Sequence, residues 1–222
     1  MSIHKNPVTA SANFQSHLDQ LSQWYTKWRI KFNHSKSVHT TFSLKHGSCP
    51  PVTVDNIPIP MSNSVKYLGI ILNKRLTCNQ HIKSKRLILN SRSRSLKNLI
   101  TNNKCSSLKT KLLIYKSLIK PIWSYGLQFW GTIKKSNLNQ IQAYQNITLR
   151  KITNTQPYIS NLTLHNDFRM KSIEEESVIF YKRFFSRLNN HENPPIQSLN
   201  SLTLPENPHR RLKRRWCRDL LN

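Results

Sequence analysis

The chain has 222 residues, 37% of them hydrophobic, with 35 Lys or Arg against 9 Asp or Glu and a formal net charge of +26. That hydrophobic share is too high for a disordered tail and low for a large compact core, and no apolar run approaches the roughly 20 residues that span a bilayer. A charge of this size repels itself unless a polyanion is near, which puts nucleic acid first among partners and a membrane surface second.

Residues 12–29 read as an amphipathic helix with Ser11 as its N-cap. Phe14, Leu18, Leu21, Tyr25 and Trp28 recur on one helical face and are expected to pack in a core. In "SVHTTFSL" the residues Val38, Thr40, Phe42 and Leu44 alternate as in a strand. "PVTVDNIPIP" reads as a hairpin turning at Asp55-Asn56, its second arm pushed to an edge by Pro58 and Pro60. The nearly continuous apolar run Val65 to Leu72 predicts one strand covered on both faces, with Gly69 inside it. Residues 1–75 therefore predict a helix on a small antiparallel sheet.

From Thr77 the pattern turns helical. Thr77 is expected to cap a helix reaching about Ile100, with Ile82, Leu89, Leu96 and Leu99 inward and the basic residues outward. A second helix runs from Ser107 to about Lys120, with Leu108, Leu112, Tyr115 and Ile119 on one side, and Pro121 ends or kinks it. After the aromatic connector "IWSYGLQFWG", a third helix starts at a Ser136 cap and buries Leu138, Ile141, Gln145, Thr148 and Ile152. Residues 153–171 read as a loop with a short helical turn. Ser172 and Glu175 form a capping box, and the helix behind it carries Ile173, Phe180, Phe184 and Leu188. The tail "HRRLKRRWCRDLLN" is basic, either a phosphate-binding tail or a surface helix. The fold class is α+β.

Between Asp55 and Asp167 there is no acidic residue. A solvated face normally mixes signs, so this span points to phosphate. Catalysis finds little support. The only clustered acids, Glu174, Glu175 and Glu176, sit in a first helical turn, where they complement the helix dipole. Consecutive positions point around a helix and cannot converge on a pair of metal ions. The four glycines are too dispersed for a phosphate-cradling loop. Cys49, Cys78, Cys105 and Cys217 are far apart and predict free thiols in a reducing, intracellular setting. "MSIHKNPVTAS" lacks the apolar core of a secretory signal.

"VKYLGIILNKRLTCNQHI" resembles the stretch that follows the catalytic sheet in reverse transcriptases of jockey-type non-LTR retrotransposons. Upstream, "LSQWYTKWRIKFNHSKS" is similar to a conserved region of the family at Trp24, Trp28, Asn33 and Lys36. Downstream, "LLIYKSLIKPIWSYGLQFWG" resembles the thumb signature, and "HENPP" with "RRLKRRWCRDL" the C-terminal end, Cys217 standing where the family often has Pro. The resemblance implies a C-terminal piece of an RNA-directed DNA polymerase: a palm remnant at 1–75, a helical thumb-like region at 76–156 and a C-terminal extension at 157–222. The family's catalytic Asp pair would precede residue 1. The piece would then carry no catalytic or metal-binding residue and no cofactor, Mg2+ belonging to the intact parent enzyme.

The same resemblance makes Lys66, Tyr67, Leu68 and Gly69 part of a primer grip. It lays Lys83, Arg86, Arg92, Arg94 and Lys97 along a template–primer duplex. Implied partners are an RNA template, an RNA–DNA hybrid or a DNA primer, and the remaining polymerase half. Two other readings stay open: a non-enzymatic nucleic-acid-binding protein, and the inert product of a decayed element.

Overall fold

The computed structural model describes residues 2–43, 47–101 and 106–198. Leu44, Cys105, Cys217 and the basic tail lie outside the described residues. The chain divides into two compact units, residues 1–77 and 78–222.

The first unit opens with α1 (Pro7–Lys27). Its cap is Asn6, not Ser11: the Asn6 side chain accepts from the Val8 amide, and Pro7 occupies the first turn, where a missing N–H costs nothing. Ser11 is a buried helical residue whose hydroxyl donates to the Pro50 carbonyl. The Asp55-Asn56 hairpin forms as expected, β1 (Thr53–Val54) pairing antiparallel with β2 (Ile57–Pro58). Both turn residues have positive φ, the geometry that matches strand twist. The Gln15 side-chain amide donates to Thr53 O at 2.9 Å and accepts from Thr53 N at 2.9 Å, so α1 completes the edge of β1. Phe14, Leu18 and Phe32 pack on Val52, Val54 and Ile59.

That sheet is too short to cover the whole helix. Leu21, Trp24 and Trp28 are exposed, Trp28 at 61%, so the stripe is covered at Phe14 and Leu18 and, against Phe32, at Tyr25, and is bare elsewhere. Residues 38–43 form no strand. His39 makes an isolated bridge to Met61, and Ser43 N donates to Lys74 O. Two successive residues of paired strand are never reached there.

The Val65–Leu72 run is two strands. β3 (Ser64–Tyr67) pairs antiparallel with β4 (Ile70–Asn73), Tyr67 opposite Ile70, around a turn at Leu68-Gly69. The turn residues have φ of +45° and +77°. Glycine at the second turn position supplies the left-handed backbone at no steric cost. None of the run is fully buried.

The second unit is helical. α2 (Asn79–Ser95) follows Cys78, whose left-handed backbone turns the chain; Thr77 is not the cap but is held by the Asn73 side chain. Leu96 ends α2, and α3 (Lys97–Thr101) follows, burying Ile100 in place of the expected Leu99. Ser107 caps α4 (Leu108–Ile114), which widens into one π-helical stretch, Tyr115–Ile119, before α5 (Lys120–Ser124). The wide turn makes room for Pro121, which has no N–H to give. Gly126 at φ +70° leads into α6 (Leu127–Trp130). α7 (Lys135–Thr153) buries all five expected residues, although Ser136 lies inside it and caps nothing. α8 (Asn161–Asp167), α9 (Ile173–Asn189) and α10 (Pro194–Gln197) complete the unit, and the Ser172–Glu175 capping box is fully formed.

Trp123 and Trp130 centre the core, with Ile82 and Leu89 of α2, Ile141 and Leu149 of α7 and Ile173 of α9. Glu176 turns inward and pairs with Lys120. Its neighbour Glu175 serves the capping box, so two of the three clustered acids are committed to structure. Neither Cys49 nor the buried Cys78 is in a disulfide.

Candidate nucleic-acid interface

The sequence-derived site residues fall in two places. Lys66, Tyr67, Leu68 and Gly69 form the tip of the β3–β4 hairpin in the first unit, all exposed, with Tyr67 at 64% and Leu68 at 71%. Gly69 belongs to the turn rather than to a strand interior. The tip presents an aromatic and an aliphatic side chain beside one lysine.

Lys83, Arg86, Arg92, Arg94 and Lys97 follow on α2 and α3 of the second unit. They do not share one outward stripe. At about 100° per residue, Lys83, Arg86 and Arg94 occupy one side of α2, and Arg92 points roughly 160° away from Arg94. Lys83, Arg92, Arg94 and Lys97 are exposed, whereas Arg86 is half-buried. Its guanidinium lies 4.8 Å from the Tyr144 ring centre, a cation–π contact. Arg86 Nη1 is shielded from solvent and has no hydrogen-bond partner among the described residues. Burial lowers the Arg86 pKa from its ordinary value, and Tyr144 acts in the opposite direction.

Arg86, Arg94 and Lys97 do meet. Together with Asn90 and Ser93 of α2, Ile100 of α3, and Tyr144, Ile147 and Lys151 of α7, they line one groove of about 410 Å³. Ser93 and Tyr144 hydrogen-bond through their hydroxyls, and the Tyr144 hydroxyl also donates to Leu89 O at 3.1 Å. Lys151 and Tyr144 were not anticipated. Residues 144, 147, 148 and 151 recur at helical spacing, the signal that would have grouped them.

Another basic residue of α2 is not at the surface. Lys85 is 8% exposed, its Nζ donating to the Ile122 carbonyl at 2.6 Å and lying 5.0 Å from the Tyr125 ring centre. Burial lowers its pKa from the ordinary value. Beside it His81 is 2% exposed, and burial first, then the Lys85 charge, push its imidazole down to about 4.

Among the described residues no group of three His, Cys, Asp or Glu could hold a metal ion. Among the described residues, no helix is long and apolar enough to cross a membrane.

The chain is 36% identical over 212 residues to a probable RNA-directed DNA polymerase from the transposon X-element of Drosophila melanogaster, covering 96% of this chain and 23% of that protein. The corresponding protein of transposon BS is 34% identical over 93% of this chain and 22% of its own length. The RNA-directed DNA polymerase of the D. melanogaster mobile element jockey is 31% identical over 96% of this chain and 24% of its own. Homologues of this chain are RNA-directed DNA polymerases of Drosophila non-LTR elements, jockey among them. The resemblance read from the sequence motifs is borne out at that level. The chain spans about a quarter of the length of the relatives it matches. No family model and no solved structure matches it.

Proposed function

We propose that this chain is a template–primer-gripping piece of a non-LTR reverse transcriptase and does not itself polymerise. The observation that carries the reading is the cationic side of α2. Lys83 and Arg94 are exposed there within the span that holds no acidic residue. Such contacts go to phosphates, so they give affinity without sequence choice. The β3–β4 hairpin supplies a second element, its exposed Tyr67 and Leu68 pressing on a primer strand. The likeness to RNA-directed DNA polymerases supports an RNA–DNA hybrid as ligand. The described acids are engaged or isolated, which supports the absence of polymerisation.

Binding of the full chain to an RNA–DNA hybrid across a salt series, beside a primer-extension assay, tests this. Salt-sensitive binding without extension is expected. Lys83→Glu with Arg94→Glu should lower the log–log salt slope by about 0.9 per lost phosphate contact, the value for duplex DNA. Arg92→Glu, on the other side of the helix, should change it less. An unchanged slope in the double variant removes the α2 interface, and primer extension by the pure chain removes the claim that it does not polymerise.

A further inference from the structure

We infer that the groove between α2 and α7 holds one unpaired nucleotide, its phosphate on the rim cations and its base on the apolar floor. This rests on the nucleic-acid reading above only for the source of the ligand. The groove is lined by the exposed Arg94, Lys97 and Lys151 and by the half-buried Arg86. No carboxylate among the described residues lines it. A phosphodiester is the anion that the rest of the chain's charge would bring there.

The floor distinguishes this site from a bare phosphate clip. Ile100 and Ile147 line it beside the Tyr144 ring. At about 410 Å³ the groove exceeds the space one phosphate needs and falls within the range of small-molecule sites. Base stacking on apolar and aromatic surface is sequence-tolerant, because every base has a flat face. A base paired in a duplex cannot lie on this floor, so the ligand is an unpaired nucleotide, as at a strand end.

Arg86 is the second, independent pointer. A shielded donor without a partner is costly, more so on a charged group. Its Nη1 has no acceptor among the described residues, while the same guanidinium is held in place by Tyr144. A phosphate oxygen in the groove supplies that acceptor once the guanidinium turns toward it, and the bond is charge-assisted.

The test uses the full chain with AMP, adenosine and inorganic phosphate in turn, at about 0.15 M salt to suppress long-range attraction. Saturable AMP binding, tighter than that of either part alone, is expected. Lys151→Glu should weaken it about tenfold or more, as for loss of a charge-assisted contact. Ile147→Ser should weaken AMP but leave phosphate binding unchanged. Both positions are exposed on α7, so the variants should melt like the parent. Equal affinity for phosphate and AMP overturns the base-binding floor. AMP binding insensitive to both variants, or no AMP binding, overturns the groove. Hybrid binding can survive each of those results, so failure of the groove is distinguishable from failure of the α2 interface.

Discussion

At the scale of single residues, the second unit hides charge-capable groups inside a helix whose composition looks like surface. Residues 82, 85 and 89 share the inward face of α2 at helical spacing. Assigning Lys85 outward by residue type overrode that geometry, and its Ile122 carbonyl partner is 37 positions away, beyond any local pattern. His81 has a consequence in acid. Its folded pKa of about 4 lies below the ordinary 6.5, so the unfolded chain binds the proton first as pH falls. Stability is full above pH 6.5 and declines between about 6.5 and 4. The loss reaches up to about 3 kcal/mol at 1.36 kcal/mol per pH unit. Denaturant melts at stepped pH should show that acid limb, and His81→Leu should flatten it. An unchanged limb in the variant would place the acid sensitivity elsewhere.

At the scale of elements, what was legible depended on punctuation. Asp55-Asn56 sits between alternating residues and announces its hairpin. Leu68-Gly69 sits inside an apolar run, where a lone glycine reads as a feature of one strand. Asn6-Pro7 is a stronger helix start than Ser11, but the apolar stripe drew the boundary inward. The capping box and the buried face of α7 were readable because each is a local, periodic signal. The groove was not, since it joins α2 to α7 across more than fifty positions. The approach of α6 to α9 was equally invisible. A Cβ on Gly131 would stand 2.5 Å from Ser177 Cβ and 2.6 Å from Leu127 O. The backbone there is ordinary for any residue, with φ of −63°, so the constraint is steric. Gly131→Ala should cost about 1–3 kcal/mol by overpacking. Adding Ser177→Gly should recover part of it, a coupling that thermal melts of the two single variants and the double variant would reveal. Simple additivity would mean that the helices move apart freely.

At the scale of the whole molecule, composition carried the charge argument and the motif order carried the kinship. Neither contained the exposed face of Leu21, Trp24 and Trp28, because a helical stripe does not show how much sheet will cover it. With a net charge of +26, like-charge repulsion opposes the folded state at low salt. A flexible polyanion such as heparin should raise the melting temperature of the full chain, and the gain should shrink as salt rises. A melting temperature indifferent to polyanion would show that the cations are too dispersed to matter collectively.

The scarcity of carboxylates has an evolutionary side. Asp19 accepts from the Gln15 amide that docks α1 on β1, and Asp55 accepts from Ser22. Glu175 closes the capping box and Glu176 neutralises Lys120 in the core. Four of the few acids thus hold the fold together, while exposed cations away from that side of α2, such as Lys109 and Lys134, are spread along surfaces. Drift can exchange one surface lysine for another polar residue and lose little. The same drift at Glu175 or Glu176 removes a fixed joint, so the rare sign is the one the lineage can least afford to lose.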